Sequence, residues 1–356
     1  MNGRILINKN NLLNNFLEVK KFSPNAKIMS VIKSNAYGHG IIEAAKILKE
    51  SDAYAVATIK EAKLLKENKI NTEIVCLQGF SNTEEYIYCA KNNIRPVIHN
   101  FFQLDIIKNT QIKNSIKIWI KVDTGMNRLG FNESFTNEVL NTCSVIKEIQ
   151  KPLGLMTHLA NADEDADNFS SVQISRFKKI CEDRDLELSI FNSAGIIKYS
   201  NHFNKYSNWV RPGLMLYGVN PCKNLNKIKL KPVMSLIAPI ISIKDCKKGQ
   251  SIGYGQSYIV KKDTRIAAVG IGYGDGLSRQ LSNIGKVYFE NNYYNIVGRI
   301  SMDITMIDID DCEIEIGSNV EIWGPNINIE SVSNSINTIP YELMCNLGNR
   351  LDKEYV

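Results

Sequence analysis

The 356-residue chain has only four histidines, and its eight cysteines, at positions 76, 89, 143, 181, 222, 246, 312 and 345, include no Cys-x-x-Cys pair. Thiols scattered in this way read as reduced and mostly buried, not as a disulfide scaffold or a zinc site, so no metal is expected. No apolar run approaches the roughly 20 residues that cross a bilayer, and no membrane partner is expected. The N-terminus lacks a basic segment followed by an apolar run, which argues against a signal peptide and for a cytoplasmic location. No Gly-x-Gly-x-x-Gly follows the first barrel-type strand, which disfavours an open dinucleotide-binding sheet. The charge excess is also small: 43 Lys and Arg against 37 Asp and Glu give +6, with the lysines spread and not interleaved with aromatics. A nucleic-acid partner is therefore not expected.

The chain does have the composition of an ordinary globular protein, 44% hydrophobic and 22% charged. Its length allows one large domain and a smaller one. Short apolar runs at 28–33, 53–58, 74–79, 94–99, 116–123, 153–159, 188–192 and 209–217 read as strands. Helical patterns lie between them, starting at Ile41 and Ala62 and then over 84–92, 101–109, 133–149, 170–183 and 196–203. Eight strand–helix alternations predict an α/β fold closed into a (β/α)8 barrel. After Pro232 the texture changes to strands joined by turns, at 233–243, 251–254, 265–271, 286–289, 293–296, 305–309 and 319–322. We expect a barrel over 9–232 and a mainly-β domain over 233–356, with the strand at 3–8 joining either one.

Functional residues of such a barrel gather at the carboxyl ends of its strands. The first strand runs into Lys33, followed by Ser34-Asn35-Ala36-Tyr37-Gly38-His39-Gly40. A lysine with apolar surroundings on one side has a lowered pKa, which favours covalent attachment to a carbonyl. The fifth strand ends in Lys121-Val122-Asp123-Thr124-Gly125-Met126-Asn127-Arg128, and the sixth in Thr157-His158. The seventh ends in Asn192-Ser193, and the eighth contains Arg211-Pro212-Gly213-Leu214. Backbone amides at Gly213 and Leu214 with the Ser193 hydroxyl suit a phosphate, and Arg128 suits a substrate carboxylate.

These segments resemble the alanine racemases, enzymes that carry pyridoxal 5'-phosphate (PLP) on a barrel. The resemblance implies that Lys33 holds PLP covalently and that Tyr37 bonds its phosphate. It also implies that Arg211 faces the pyridine nitrogen, with His158 fixing Arg211, and it places Asn192, Ser193, Gly213 and Leu214 around the cofactor. Lys121 stands where some members carry a carbamylated lysine that positions the residue matching Arg128. In the second domain, Gly253-Tyr254-Gly255 matches the segment with the opposite-face base, so the resemblance makes Tyr254 the partner of Lys33 in a two-base racemisation of alanine. Tyr273 in Gly272-Tyr273-Gly274-Asp275 and Met302-Asp303 match substrate-pocket positions, and Tyr341 matches a phosphate-bonding tyrosine. In the family, the counterparts of Tyr254, Met302 and Asp303 reach into the partner subunit, which implies a homodimer. The role implied is supply of D-alanine for peptidoglycan. The segment from Cys345 to Asp352 lacks the usual Ser before and Pro-Arg after Arg350, which puts the packing around Arg350 in question.

Other readings keep the barrel. One widens the substrate to serine. Another, the decarboxylases of this fold, expects an acidic residue where Arg211 stands. The last is a non-catalytic PLP carrier. The phenol of Tyr254 is expected to be made more acidic by a cationic Arg211–His158 pair.

Overall fold

The computed structural model describes residues 3–199, 207–222 and 228–356. The part of the helix expected over 196–203 that follows Tyr199 lies outside these residues.

Among the described residues ten strands precede residue 233; the two-residue strand Phe131–Asn132, which pairs with the end of the fifth barrel strand, is left unnumbered. β1 is Arg4–Ile7, and the barrel strands are β2 (Lys27–Val31), β3 (Ala53–Val56), β4 (Glu73–Cys76), β5 (Ile94–Ile98), β6 (Trp119–Asp123), β7 (Leu153–Met156), β8 (Leu186–Ser189) and β9 (Trp209–Val210). All neighbours from β2 to β9 are parallel, and β9 pairs with β2, which closes an eight-stranded ring. A closed parallel sheet has no free edge and buries its strands on both faces. That is why β3 and β7 read as continuous apolar runs and are buried throughout.

The expected strand over 209–217 is corrected: it ends at Val210, and Leu214–Tyr217 is a 3-10 helix. The Ser193 hydroxyl accepts from the backbone N–H of Gly213 at 2.9 Å and of Met215 at 3.3 Å, and this bends the chain out of the sheet. Similarly, the strand expected over 251–254 ends at Ile252, because Gly253 takes a φ of 71° and Tyr254 opens a short 3-10 turn.

The second domain is built on β10 (Met234–Cys246), followed by β11 (Thr264–Val269), β12 (Lys286–Phe289), β13 (Asn292–Asn295), β14 (Thr305–Asp308), β15 (Asn319–Trp323) and β16 (Asp352–Tyr355). β1 lies in this sheet, antiparallel to β10 and parallel to β16. The chain thus begins in one domain and crosses to the other through the helix Lys9–Phe22, which has no counterpart among the expected elements. Asn8 caps that helix by accepting from the Asn11 backbone at 2.9 Å. The buried Asn15 amide then ties it to the carbonyls of Leu216 and Lys231. Two short helices, Ile329–Ser335 and Pro340–Cys345, complete the domain, and the second of them packs against the Lys33 turn.

At the amino end of the barrel, Arg95 is only 2% exposed. Its guanidinium lies 2.6 Å from Glu187 and 3.5 Å from Glu73, and stacks 4.2 Å from the Trp119 ring centroid. Removing one member of a buried, hydrogen-bonded ion cluster leaves the others desolvated and unpaired. Arg95→Ala is expected to lower the unfolding free energy by about 3 kcal/mol, read from denaturant midpoints. Activity per folded molecule should not change, because Arg95 is at the end of the barrel opposite Lys33. An unchanged midpoint would mean that the cluster contributes no net stability.

Candidate active site

Lys33 follows β2 with one residue between. Ile32 still pairs with the sheet, donating to the Ala55 carbonyl at 2.9 Å. The next four residues, Ser34, Asn35, Ala36 and Tyr37, all have φ between 52° and 54°. Four consecutive non-glycine residues in this region make a left-handed turn, which costs roughly 1–2 kcal/mol per residue for L-amino acids. Local bonds offset that strain. Asn35 Oδ1 accepts from the Ile41 backbone at 2.9 Å, and Glu61 accepts from the Ser34 backbone at 2.6 Å. Nothing in the composition of Ser-Asn-Ala-Tyr signals the handedness.

Burial, and next the Arg128 charge, lower the pKa of Lys33. Lys121 is brought down to about 8, first by burial and then by the Arg211, Arg128 and Lys33 charges. Burial also brings Arg211 down to about 10, which leaves it cationic at neutral pH. Lys33, Lys121, Arg128 and Arg211 are thus close enough to act on one another's charge at one mouth. Such a concentration of like charge is costly without an anion to neutralise it.

Arg211 is fixed by its donors. They reach the Thr157 carbonyl and the Ser189 hydroxyl at 2.5 Å each, and the Ile190 carbonyl at 3.2 Å. A fourth contact, 3.4 Å to His158 Nδ1, makes that nitrogen an acceptor. Burial, followed by Arg211 and the other nearby cations, pushes His158 well below its usual pKa. The expectation of a cationic Arg211–His158 pair is corrected accordingly: the imidazole is neutral and Arg211 alone carries charge. Beneath it lies a network that sequence reasoning missed, in which buried Gln173 donates to Thr124 Oγ1 and the His158 carbonyl, and Thr124 bonds Thr157. Gln173 sits mid-helix with no motif to mark it.

The opposite wall has the donors an oxyanion group requires. The Tyr37 and Tyr341 rings lie tilted at 42° with centroids 5.5 Å apart, and among the described residues no hydrogen bond occupies either hydroxyl. Burial raises the pKa of both, Tyr341 to about 12, so both are donors. A Cβ built on Gly213 would stand 2.7 Å from the Tyr37 oxygen, so a side chain there would fill the cradle between them. Asn192 caps its helix, with Oδ1 accepting from Gly195 at 3.0 Å, and Leu214 is buried beside Gly213. An aldehyde-bearing aryl phosphate fits this donor set: an amine of lowered pKa, a buried arginine, and hydroxyls with backbone amides around a glycine.

Tyr254, Tyr273, Met302 and Asp303 lie on the second domain. Tyr254 is 70% exposed and Met302 52%. Among the described residues, neither a hydrogen bond nor an ion pair joins any of the four to the barrel mouth. Arg350, whose packing the sequence left in question, bonds Asp303 at 2.6 Å and Asp275 at 3.2 Å. It therefore fixes the Asp303 carboxylate beside Met302, whose Cγ would lie 3.0 Å from a Cβ on Gly274. Among the described residues, no group of side chains could hold a metal ion and no helix is long and apolar enough to cross a membrane.

Comparison with known proteins agrees with this geometry. The family model described as the alanine racemase N-terminal domain matches residues 7–221, and that of the C-terminal domain matches 233–355. The alanine racemase of Coxiella burnetii is 38% identical over 353 residues, covering 97% of this chain and 96% of the relative. That of Haemophilus influenzae is 35% identical, covering 98% and 97%. The crystal structure of the biosynthetic alanine racemase from Pseudomonas aeruginosa superposes with a TM-score of 0.94 at 29% identity, covering 100% of both chains. The Bartonella henselae alanine racemase, solved with covalently bound pyridoxal phosphate, gives 0.91 at 29% identity and covers 100% of both chains. With matches along its whole length and the mouth residues assembled as described, the chain belongs to the alanine racemase family.

Proposed function

We propose that this chain is a PLP-dependent racemase that interconverts L- and D-alanine with two bases, Lys33 and Tyr254. The observation that carries the reading is the convergence of Lys33, Lys121, Arg128 and Arg211 on one barrel mouth. When bound, PLP supplies an electron sink that acidifies the Cα–H of an attached amino acid. Lys33 holds the cofactor and moves the proton at Cα on one face. Tyr254 moves it on the other. Tyr37, Tyr341, the Ser193 hydroxyl and the Leu214 amide hold the phosphate, with the Gly213 amide orienting that hydroxyl from 2.9 Å and Asn192 fixing the start of the Ser193 helix. Arg128 takes the substrate carboxylate. Arg211, held by His158, faces the ring nitrogen and cannot give it a proton at working pH, which limits the sink and disfavours side reactions.

Tyr254, Tyr273, Met302 and Asp303 complete the mouth of a second copy in a homodimer. Support comes from the exposed apolar surface on this domain, where Ile259, Ile284, Met302 and Ile304 lie open with Tyr254. The D-alanine produced supplies peptidoglycan, and a D-alanine requirement in cells lacking the chain tests that role.

The test of the reaction is circular dichroism of L-alanine with purified protein and PLP. The signal should decay to zero at constant total alanine. A constant signal with alanine but decay with L-serine would reassign the substrate. A constant signal with both would leave only a PLP carrier.

We further propose that Lys121 carries a carbamate. With a pKa of about 8, its amine is mostly protonated at pH 7 and mostly neutral at pH 9, and only the neutral form adds carbon dioxide. A carbamate would place an anion beside Arg128. Native mass spectra in bicarbonate should show the added carboxyl group, with occupancy rising from pH 7 to 9 and none in Lys121→Met. Equal occupancy in that variant would refute the assignment.

A further inference from the structure

We propose that His39 is a positioning residue for Lys33 and Tyr37, whose ring holds the left-handed turn between them in register through a shared hydrogen bond to two turn carbonyls. The inference rests on the reading above of Lys33 and Tyr37 as cofactor ligands.

The imidazole is 1% exposed. Its Nδ1 lies 2.9 Å from the Ala36 carbonyl and 3.0 Å from the Tyr37 carbonyl. Both oxygens only accept, so Nδ1 carries the proton and the tautomer is fixed. Burial brings the ring down to about 4, so it stays neutral and keeps these roles across the working pH range. Nε2 is then a buried acceptor, and among the described residues it has no partner. A ring kept for packing alone would be better as phenylalanine, which leaves no polar atom unsatisfied. The unpaired nitrogen is explained if Nδ1 has work that a hydrocarbon cannot do.

That work is local and specific. Ala36 and Tyr37 have φ of 54° and 52°, so the ring grips the two strained residues at the end of the turn. The Ala36 carbonyl also accepts from the His39 backbone at 3.0 Å, closing the turn on itself. The ring face lies 4.5 Å from Tyr217, which in turn is 4.7 Å from Tyr37. The Tyr217 hydroxyl donates to the Val31 carbonyl at 2.9 Å, two residues before Lys33. His39 therefore holds one end of the turn directly and is packed against the ring that anchors the other. From outside, Tyr355 on β16 donates to the His39 carbonyl at 3.0 Å. If this grip is lost the turn relaxes, and the Lys33 amine and Tyr37 hydroxyl shift together. Displacements of this size at a reacting group cost rate out of proportion to their effect on binding.

The test compares His39→Phe, which keeps a ring without the donor, with His39→Asn, which presents an amide donor at the δ position. In the loaded full-length enzyme, His39→Phe should lower kcat about tenfold with KM for alanine within about twofold, and should weaken PLP affinity by about tenfold. His39→Asn should recover most of both. If the phenylalanine variant does not accumulate, His39→Met is the donor-free comparison. Normal kcat per loaded molecule and normal PLP affinity in a donor-free variant, whatever its melting temperature, would overturn the proposal. So would equal impairment of the asparagine and donor-free variants. Wild-type protein that takes up no PLP at Lys33, judged by the mass of the borohydride-reduced chain, would instead refute the underlying reading of the site.

Discussion

Lys33→Ala is expected to abolish both covalent PLP attachment and racemisation, lowering the rate by at least about 10⁴-fold while the fold survives. The same nitrogen is asked to do two things, hold the cofactor and move a proton at Cα. No other amine of the mouth can do both. A guanidinium cannot act as a base at working pH, and Lys121, although burial first and then the neighbouring cations also bring its amine down, is blocked as nucleophile and base by the carbamate proposed above. The fold should survive because the lost group is a cation partly stripped of water beside another cation. Removing it relieves repulsion, and thermal stability of the cofactor-free protein should stay equal or rise. Retained racemisation in Lys33→Ala would move the chemistry to another residue. A collapsed fold would show that Lys33 is structural.

The second large effect is Tyr254→Phe. General acid–base groups contribute about 10²–10⁴ in rate, and racemisation should fall by that amount. Tyr254 is 70% exposed, so the change should leave stability unaltered. The proton on the other face still has its base. Solvent deuterium should therefore enter one enantiomer of alanine at Cα without inversion, by mass spectrometry with chiral analysis. Near-native racemisation would refute the two-base assignment. The same variant tests the dimer. If Tyr254 serves the partner's mouth, a Lys33→Ala and Tyr254→Phe heterodimer has one intact site and one doubly altered site. Mixing the two inactive proteins should then restore about a quarter of wild-type activity at statistical exchange. No recovery after verified exchange would place both residues of a site on one chain.

How much of this was legible beforehand depended on the range of the interaction involved. The eight barrel strands were visible because burial on both faces forces short, continuous apolar runs, and the (β/α)8 reading followed from their alternation with helices. Lys33, Lys121, Arg128, His158, Ser193 and Arg211 could be grouped in advance because a parallel barrel places strand ends at one rim, so sequence position predicts spatial grouping. The helix Lys9–Phe22 was missed because its apolar stripe of Leu12, Phe16 and Val19 is diluted by asparagines, one of which, Asn15, is buried for its hydrogen bonds. Strand ends at Val210 and Ile252 were misplaced because each is set by a contact or backbone angle that residue type does not announce.

The sequence by itself determined the architecture, the family and the identity of the rim residues, since these depend on local periodicity and on motifs that stay intact along the chain. Only the tertiary structure decided the charge state of the site, because a pKa is set by burial and by charges brought together from distant strands. It is tertiary packing that makes His158 neutral and Lys121 titratable near neutral pH. It also decided the hand of the Lys33 turn. Of its four residues only Asn35 favours positive φ; Ser34, Ala36 and Tyr37 adopt it because His39, Glu61 and the carboxyl-terminal strand together supply bonds that no local segment could provide.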